Sequence, residues 1–79
     1  MTYTCKVRVL NQGIELQVRQ GNRDTWQWSI GFFGGQTLQH GERSTIEEAQ
    51  FSAESAFERR LEKAGLSRLA PKAYRWLDS

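Results

Sequence analysis

Few side chains in this 79-residue sequence combine the types and spacing that chemistry needs. Cys5 is the only cysteine and His40 the only histidine. A nucleophilic thiol requires a nearby base and an electropositive setting. Cys5 instead alternates with Tyr3 and Val7 on an apolar side, so it reads as a small buried hydrophobe. One histidine without Cys, Asp or a second His at ligand spacing makes no zinc site. His40 is expected to pack, partly buried, opposite Trp28. An enzyme would need a pocket joining His40 to a carboxylate such as Glu42, and no pattern builds one. Glu54, Glu58 and Glu62 form a row at four-residue spacing, mildly self-repulsive, facing water or a basic partner. Gly31-Phe32-Phe33-Gly34-Gly35 is glycine-rich, but the helix start that a phosphate cradle requires does not follow it. No catalytic residue, metal ligand or cofactor-binding residue is expected, and the chain is expected to be non-enzymatic.

Two other sets carry the candidate sites. Lys6, Arg8, Arg19 and Arg23 are candidate nucleic-acid contacts. Lys6, Arg8 and Arg19 fall on the polar side of alternating segments together with Gln17, Gln27 and Glu15. Arginine can hold phosphates and glutamine can read base edges. No aromatic residue interleaves with this set, so a stacking platform for single strands is not expected. Leu10, Phe33, Phe51, Tyr74 and Trp76 are the candidate partner surface; Leu10, Phe33 and Phe51 fall outside the inner core pattern and are either an interface or covered by the chain's own Leu69–Leu77 segment.

These residues need elements to position them. Tyr3, Cys5, Val7 and Val9 alternate with Thr4, Lys6 and Arg8, the period of a half-buried strand. Ile14, Leu16 and Val18 repeat it. A turn at Gln12-Gly13 would place Val9 opposite Leu16 and Val7 opposite Val18. After the polar break at 21–24, Trp26, Trp28, Ile30 and Phe32 make a third inward row. A three-residue loop at 33–35 would set Phe32 against Gln36, Ile30 against Leu38 and Trp28 against His40. The fourth strand, 36–40, is short and polar, as suits an edge. Ser44-Thr45-Ile46-Glu47 has the spacing of a capping box with Ser44 as N-cap. The helix is predicted over 45–64, about 30 Å long. Its inner stripe is Ile46, Ala49, Ala53, Ala56, Phe57, Leu61 and Ala64. Gly65 is its stop, with Leu66 placed to touch Leu61. Leu66, Leu69, Ala70, Ala73 and Leu77 recur at helical spacing, which predicts a short C-terminal helix carrying Tyr74 and Trp76.

The stretch from Trp26-Gln27-Trp28-Ser29-Ile30, through Gly34-Gly35, to Thr45-Ile46-Glu47-Glu48-Ala49 resembles the N-terminal arm-binding domains of phage-type integrases. Those domains are built of three strands followed by a helix that opens Thr-x-x-Glu-Ala. The resemblance covers about a third of the chain and implies a bacterial or phage origin and DNA binding. It carries no functional residue over, since the matching positions are structural.

Eleven basic against nine acidic residues leave a net charge of +2, too balanced to imply nucleic acid by itself. Position says more: residues 44–66 are acidic, while 1–43 and 67–79 are basic. No apolar run opens the chain or spans a bilayer, so a cytoplasmic protein is expected, without membrane contact. The fold expected is a single α+β domain over 1–79. An antiparallel meander of three to four strands (3–40) carries one long helix on one face, and the segment 67–79 follows. The function expected is a small binding or assembly module acting through protein–protein contacts, including a homodimer. The alternative is a nucleic-acid-binding domain using the basic outer face of the sheet.

Overall fold

The computed structural model describes residues 1–78; Ser79, the end of the predicted C-terminal segment, lies outside the described residues. The fold is α+β, as the alternating and helical periods require. The strands are β1 (Thr2–Val9), β2 (Gln12–Gln20), β3 (Trp26–Phe32), β4 (Thr37–Arg43) and β5 (Leu77–Asp78), and the helix is α1 (Ile46–Lys63). They form one antiparallel sheet in the order β4-β3-β2-β1-β5, with α1 lying over β2, β3 and β4. The core between them holds Cys5, Val9, Ile14, Leu16, Val18, Trp28 and Ile30 from the sheet. The helix contributes Ala49, Ala53, Ala56, Phe57 and Leu61. Among the described residues no helix is long and apolar enough to cross a membrane.

The first hairpin turns at Leu10-Asn11, not at Gln12-Gly13, and pairs Val7 with Ile14, Cys5 with Leu16 and Tyr3 with Val18. Both registers put the same residues inside, so sidedness could not choose between them. The observed one gives each apolar residue of β2 an apolar partner on β1. Leu10 takes the left-handed conformation (φ 56°) at the tip. Gly13 has another use: just past the end of β3 the Phe33 N–H donates to the Gly13 carbonyl (2.9 Å), and a Cβ on Gly13 would sit 3.3 Å from that of Phe33.

The loop closing β3 and β4 is the expected one. Phe32 N–H donates to the Gln36 carbonyl at 3.1 Å, and Gly34 (φ 68°) is left-handed. Beyond it the register differs. Gly31 pairs with Thr37 but Ile30 pairs with Gln39, so Leu38 is the extra residue of a bulge. A one-residue slip reverses a strand's faces. Trp28 therefore faces Gly41, and His40 turns to the outer face opposite Ser29, exposed rather than packed. The cause is steric. A Cβ at Gly41 would lie 2.7–2.8 Å from three atoms of the Trp28 indole, so only a residue without a side chain fits there. Phe32, expected inside, is the last residue of β3 and is exposed.

The helix begins one residue later than the capping pattern suggested. Thr45, not Ser44, is the N-cap, its hydroxyl accepting from the Glu48 N–H at 3.1 Å. The C-terminus closes as expected: Leu66 N–H donates to Leu61 (2.8 Å), Gly65 N–H to Glu62 (3.0 Å), and Gly65 has φ 74°. Ala64, expected on the inner stripe, is the exposed C-cap.

The segment after the helix is the largest correction. Only Ser67–Leu69 coil, as a 3-10 turn. Residues 70–76 are not helical, and Leu77–Asp78 pair with Thr4 and Tyr3 as the fifth strand. The helix covers β2 to β4, which leaves the inner side of β1 to be closed by something else. Leu69, Ala70, Tyr74 and Trp76 pack there beside Tyr3 and Val7.

Three substitutions test the packing at Gly41 and the cap at Thr45. Gly41→Ala is expected to lower stability by about 1–3 kcal/mol by forcing a side chain into the indole. Thr45→Ala should cost about 1 kcal/mol and Ser44→Ala almost nothing, because only Thr45 caps the helix. Urea denaturation of the three variants measures both.

Candidate functional site

The face of the sheet turned away from α1 is uncovered. Strand pairing assembles it in rows. Arg19, Gln27 and Glu42 form one row; Thr4, Gln17, Ser29 and His40 the next; Lys6, Glu15, Gly31 and Thr37 the third. Arg8, Gly13 and, past the end of β3, Phe33 form the last. Every residue in these rows is exposed or half-exposed. Lys6, Arg8 and Arg19 are thus brought together on one face, as their alternation implied. Arg23 is not with them: it lies between β2 and β3 in the left-handed conformation (φ 58°).

Across β2 to β4, Arg19, Gln17, Gln27, Ser29, His40 and Glu42 line a shallow groove of about 800 Å³. Its donors and acceptors are side-chain amides, a hydroxyl, an imidazole, a guanidinium and one carboxylate. Glu42 accepts from Thr25 Oγ1 and Gln27 Nε2, both at 3.4 Å, which fixes it at the margin. The face carries three permanent cations, on β1 and β2, and two carboxylates, Glu15 beside Lys6 and Glu42 on the edge strand.

An aromatic ring does stand among these cations, contrary to expectation. The Lys6 ammonium lies 4.2 Å from the centroid of the Phe33 ring, a cation–π contact made across Gly13, whose missing side chain leaves the gap open. Phe33 is 59% exposed. The sequence signal was a glycine on the polar side of β2, which marks a close approach from a neighbour. The outward position of His40 had no such signal except Gly41 itself.

The candidate partner surface divides. Leu10 (67% exposed) and Phe51 (68%) stand free on the hairpin tip and the helix. Tyr74 and Trp76 do not. The Tyr74 hydroxyl donates to Glu58 Oε2 and the Trp76 Nε1–H to Glu54 Oε2, each at 2.7 Å, and Tyr74 meets Phe57 edge-on. Two members of the acidic row therefore anchor the chain's own C-terminal segment. That segment also seals Cys5. Burial pushes the Cys5 thiol up and Glu54 adds to this, while a backbone hydrogen bond from Arg75 opposes it. A protonated, buried thiol is a poor nucleophile. Among the described residues no three of His, Cys, Asp and Glu are grouped to hold a metal ion.

Comparison with protein-family models, with curated proteins and with solved structures finds no match.

Burial, and then the bonded Glu58 carboxylate, hold Tyr74 well above the ordinary phenol range. The fold keeps this proton where the unfolded chain releases it. Its stabilising contribution is complete below about pH 10 and is lost as pH rises beyond that. Stability of the wild type should therefore fall more steeply above about pH 10 than that of Tyr74→Phe, measured by denaturant midpoints at stepped pH.

Proposed function

We propose that this chain is a non-enzymatic binding module that holds nucleic acid on the open face of its sheet. One observation carries the reading: Lys6, Arg8 and Arg19 stand together on a face that neither α1 nor the C-terminal segment covers, beside the amides of Gln17 and Gln27. Cations spaced along two strands suit phosphates, and amides suit base edges. A major groove about 12 Å wide admits two strands, the number that carries the three cations here. Phe33 adds a flat apolar surface at the end of the basic rows, where a base could stack. Glu42 repels phosphates at the β4 margin, so the backbone would follow the β1 and β2 cations, past Glu15 beside Lys6, and leave that margin to base edges.

A second reading, a module for protein contacts, is supported by the exposure of Leu10, Phe33 and Phe51. Removal of Tyr74 and Trp76 from that surface weakens it relative to the first.

The test is anisotropy of labelled duplex DNA, single-stranded DNA and RNA across a salt series. Binding should weaken with salt, and each phosphate-contacting cation should contribute about 0.9 to the logarithmic slope on duplex. Arg19→Ala and Arg8→Ala should each flatten it by about that amount. No shift with any of the three at about 50 mM salt would end the proposal.

A further inference from the structure

Among the described residues, two surface features are complementary in shape and charge. One is Phe51, exposed on the outward side of α1, with Glu47 and Glu48 four and three residues before it and therefore on the same side. The other is a groove of about 590 Å³ at the far end of the sheet. Val7, Ile14, Phe32 and Phe33 give it apolar walls, Lys6 and Arg8 give it positive charge, and no carboxylate lines it. The first is an aromatic knob with acidic flanks; the second is an apolar slot with basic flanks.

The two cannot meet within one molecule. Arg43 Nε donates to Ser52 Oγ at 2.9 Å, which sets the turn carrying Phe51 beside the end of β4. Arg60 Nη2 donates to the Leu38 carbonyl at 3.0 Å, which sets the last turns of α1 beside the start of β4, the end where the Phe33 loop lies. Phe51 thus lies toward the end of the sheet away from the groove, which wraps the sheet's other end with Val7, Ile14 and Phe32 from the inner face and Lys6, Arg8 and Phe33 from the outer.

We propose that a second copy of this chain fills the groove: Phe51 of one molecule enters between Phe33 and Phe32 of the next, with Glu47 and Glu48 beside Lys6 and Arg8. Knob and slot lie on different surfaces, so the contact is head to tail. It extends into a ring or a filament rather than closing as a two-fold dimer. It does not require that nucleic acid be the ligand of the open face. Lys6 and Arg8 belong to both surfaces, however, so on any one copy nucleic acid and the next copy's helix compete.

Sedimentation velocity of the nuclease-treated full chain over a concentration series tests this. Species larger than a dimer should form at high concentration and recede with added salt, because the flanking pairs are exposed. Phe51→Asp, a substitution at an exposed position, should be monomeric with an unchanged circular dichroism spectrum. Lys6→Glu with Arg8→Glu should be monomeric too. Mixed, the two variants should form a dimer and nothing larger, since one keeps an intact slot and the other an intact knob. Glu47→Lys with Glu48→Lys should likewise abolish association. A wild type that stays monomeric throughout, or assembly that survives Phe51→Asp, overturns the proposal. Phe51→Asp, freed from that competition, should bind nucleic acid at least as tightly as the wild type, so failure of either idea is read separately.

Discussion

The indole of Trp28 needs a place in the layer between sheet and helix, and the rest of the structure accommodates it. On the helix side the demand is met by alanines: Ala49, Ala53 and Ala56 are buried in the same core. On the sheet side it is met by Gly41, the only residue of β4 without a side chain. Bringing Gly41 opposite Trp28 shifts the β4 register by one residue, and the Leu38 bulge absorbs the shift. The Arg60 guanidinium bonds the Leu38 carbonyl at that irregularity, which ties the end of the helix to the edge strand and occupies a group that an open edge would otherwise present. One packing constraint thus sets the helix surface, the edge strand and the identity of the outward residues of β4.

The helix alone does not complete the core. It spans three strands, and the inner side of β1 would stay wet without a second cover. The segment after Gly65 supplies it with little regular structure, through aromatic side chains whose polar ends need acceptors when half-buried. Glu54 and Glu58 provide those acceptors. A carboxylate row that looks unfavourable on an isolated helix becomes a docking rail once two of its members receive N–H and O–H donors. The same segment adds β5 to the edge of β1, so both long edges are modified: one by a bulge and charge, one by an extra strand.

With one face closed twice, the other is left to water. It is polar without being strongly charged, and its cations lie on β1 and β2 while a carboxylate lies on β4. Where this face meets the Leu10 end of the sheet, polar and apolar surface adjoin, and Lys6 serves both through its contact with Phe33. Lys6, Arg8 and Phe33 thus lie toward the Leu10 end of the sheet, while Arg19, Gln27 and Glu42 lie toward the other.

Local periodicity by itself determined a good deal: four strands, one long helix, which side of the first three strands is apolar, the Gly34 loop and the Gly65 stop. Each of these depends on residues within a few positions of one another, where alternation, helical spacing and left-handed glycines act directly. It also placed Lys6, Arg8 and Arg19 on one face, because a strand's sidedness is set by parity alone. Only the tertiary structure decided what depends on fit between distant segments. The first hairpin's register was degenerate in sidedness and was settled by matching apolar partners across β1 and β2. His40 was turned outward by the space an indole needs at Gly41, thirteen residues from Trp28. Tyr74 and Trp76 were taken from the surface because their helical spacing was outcompeted by a vacant strand edge and two carboxylate acceptors, neither of which exists until the sheet and the helix have met.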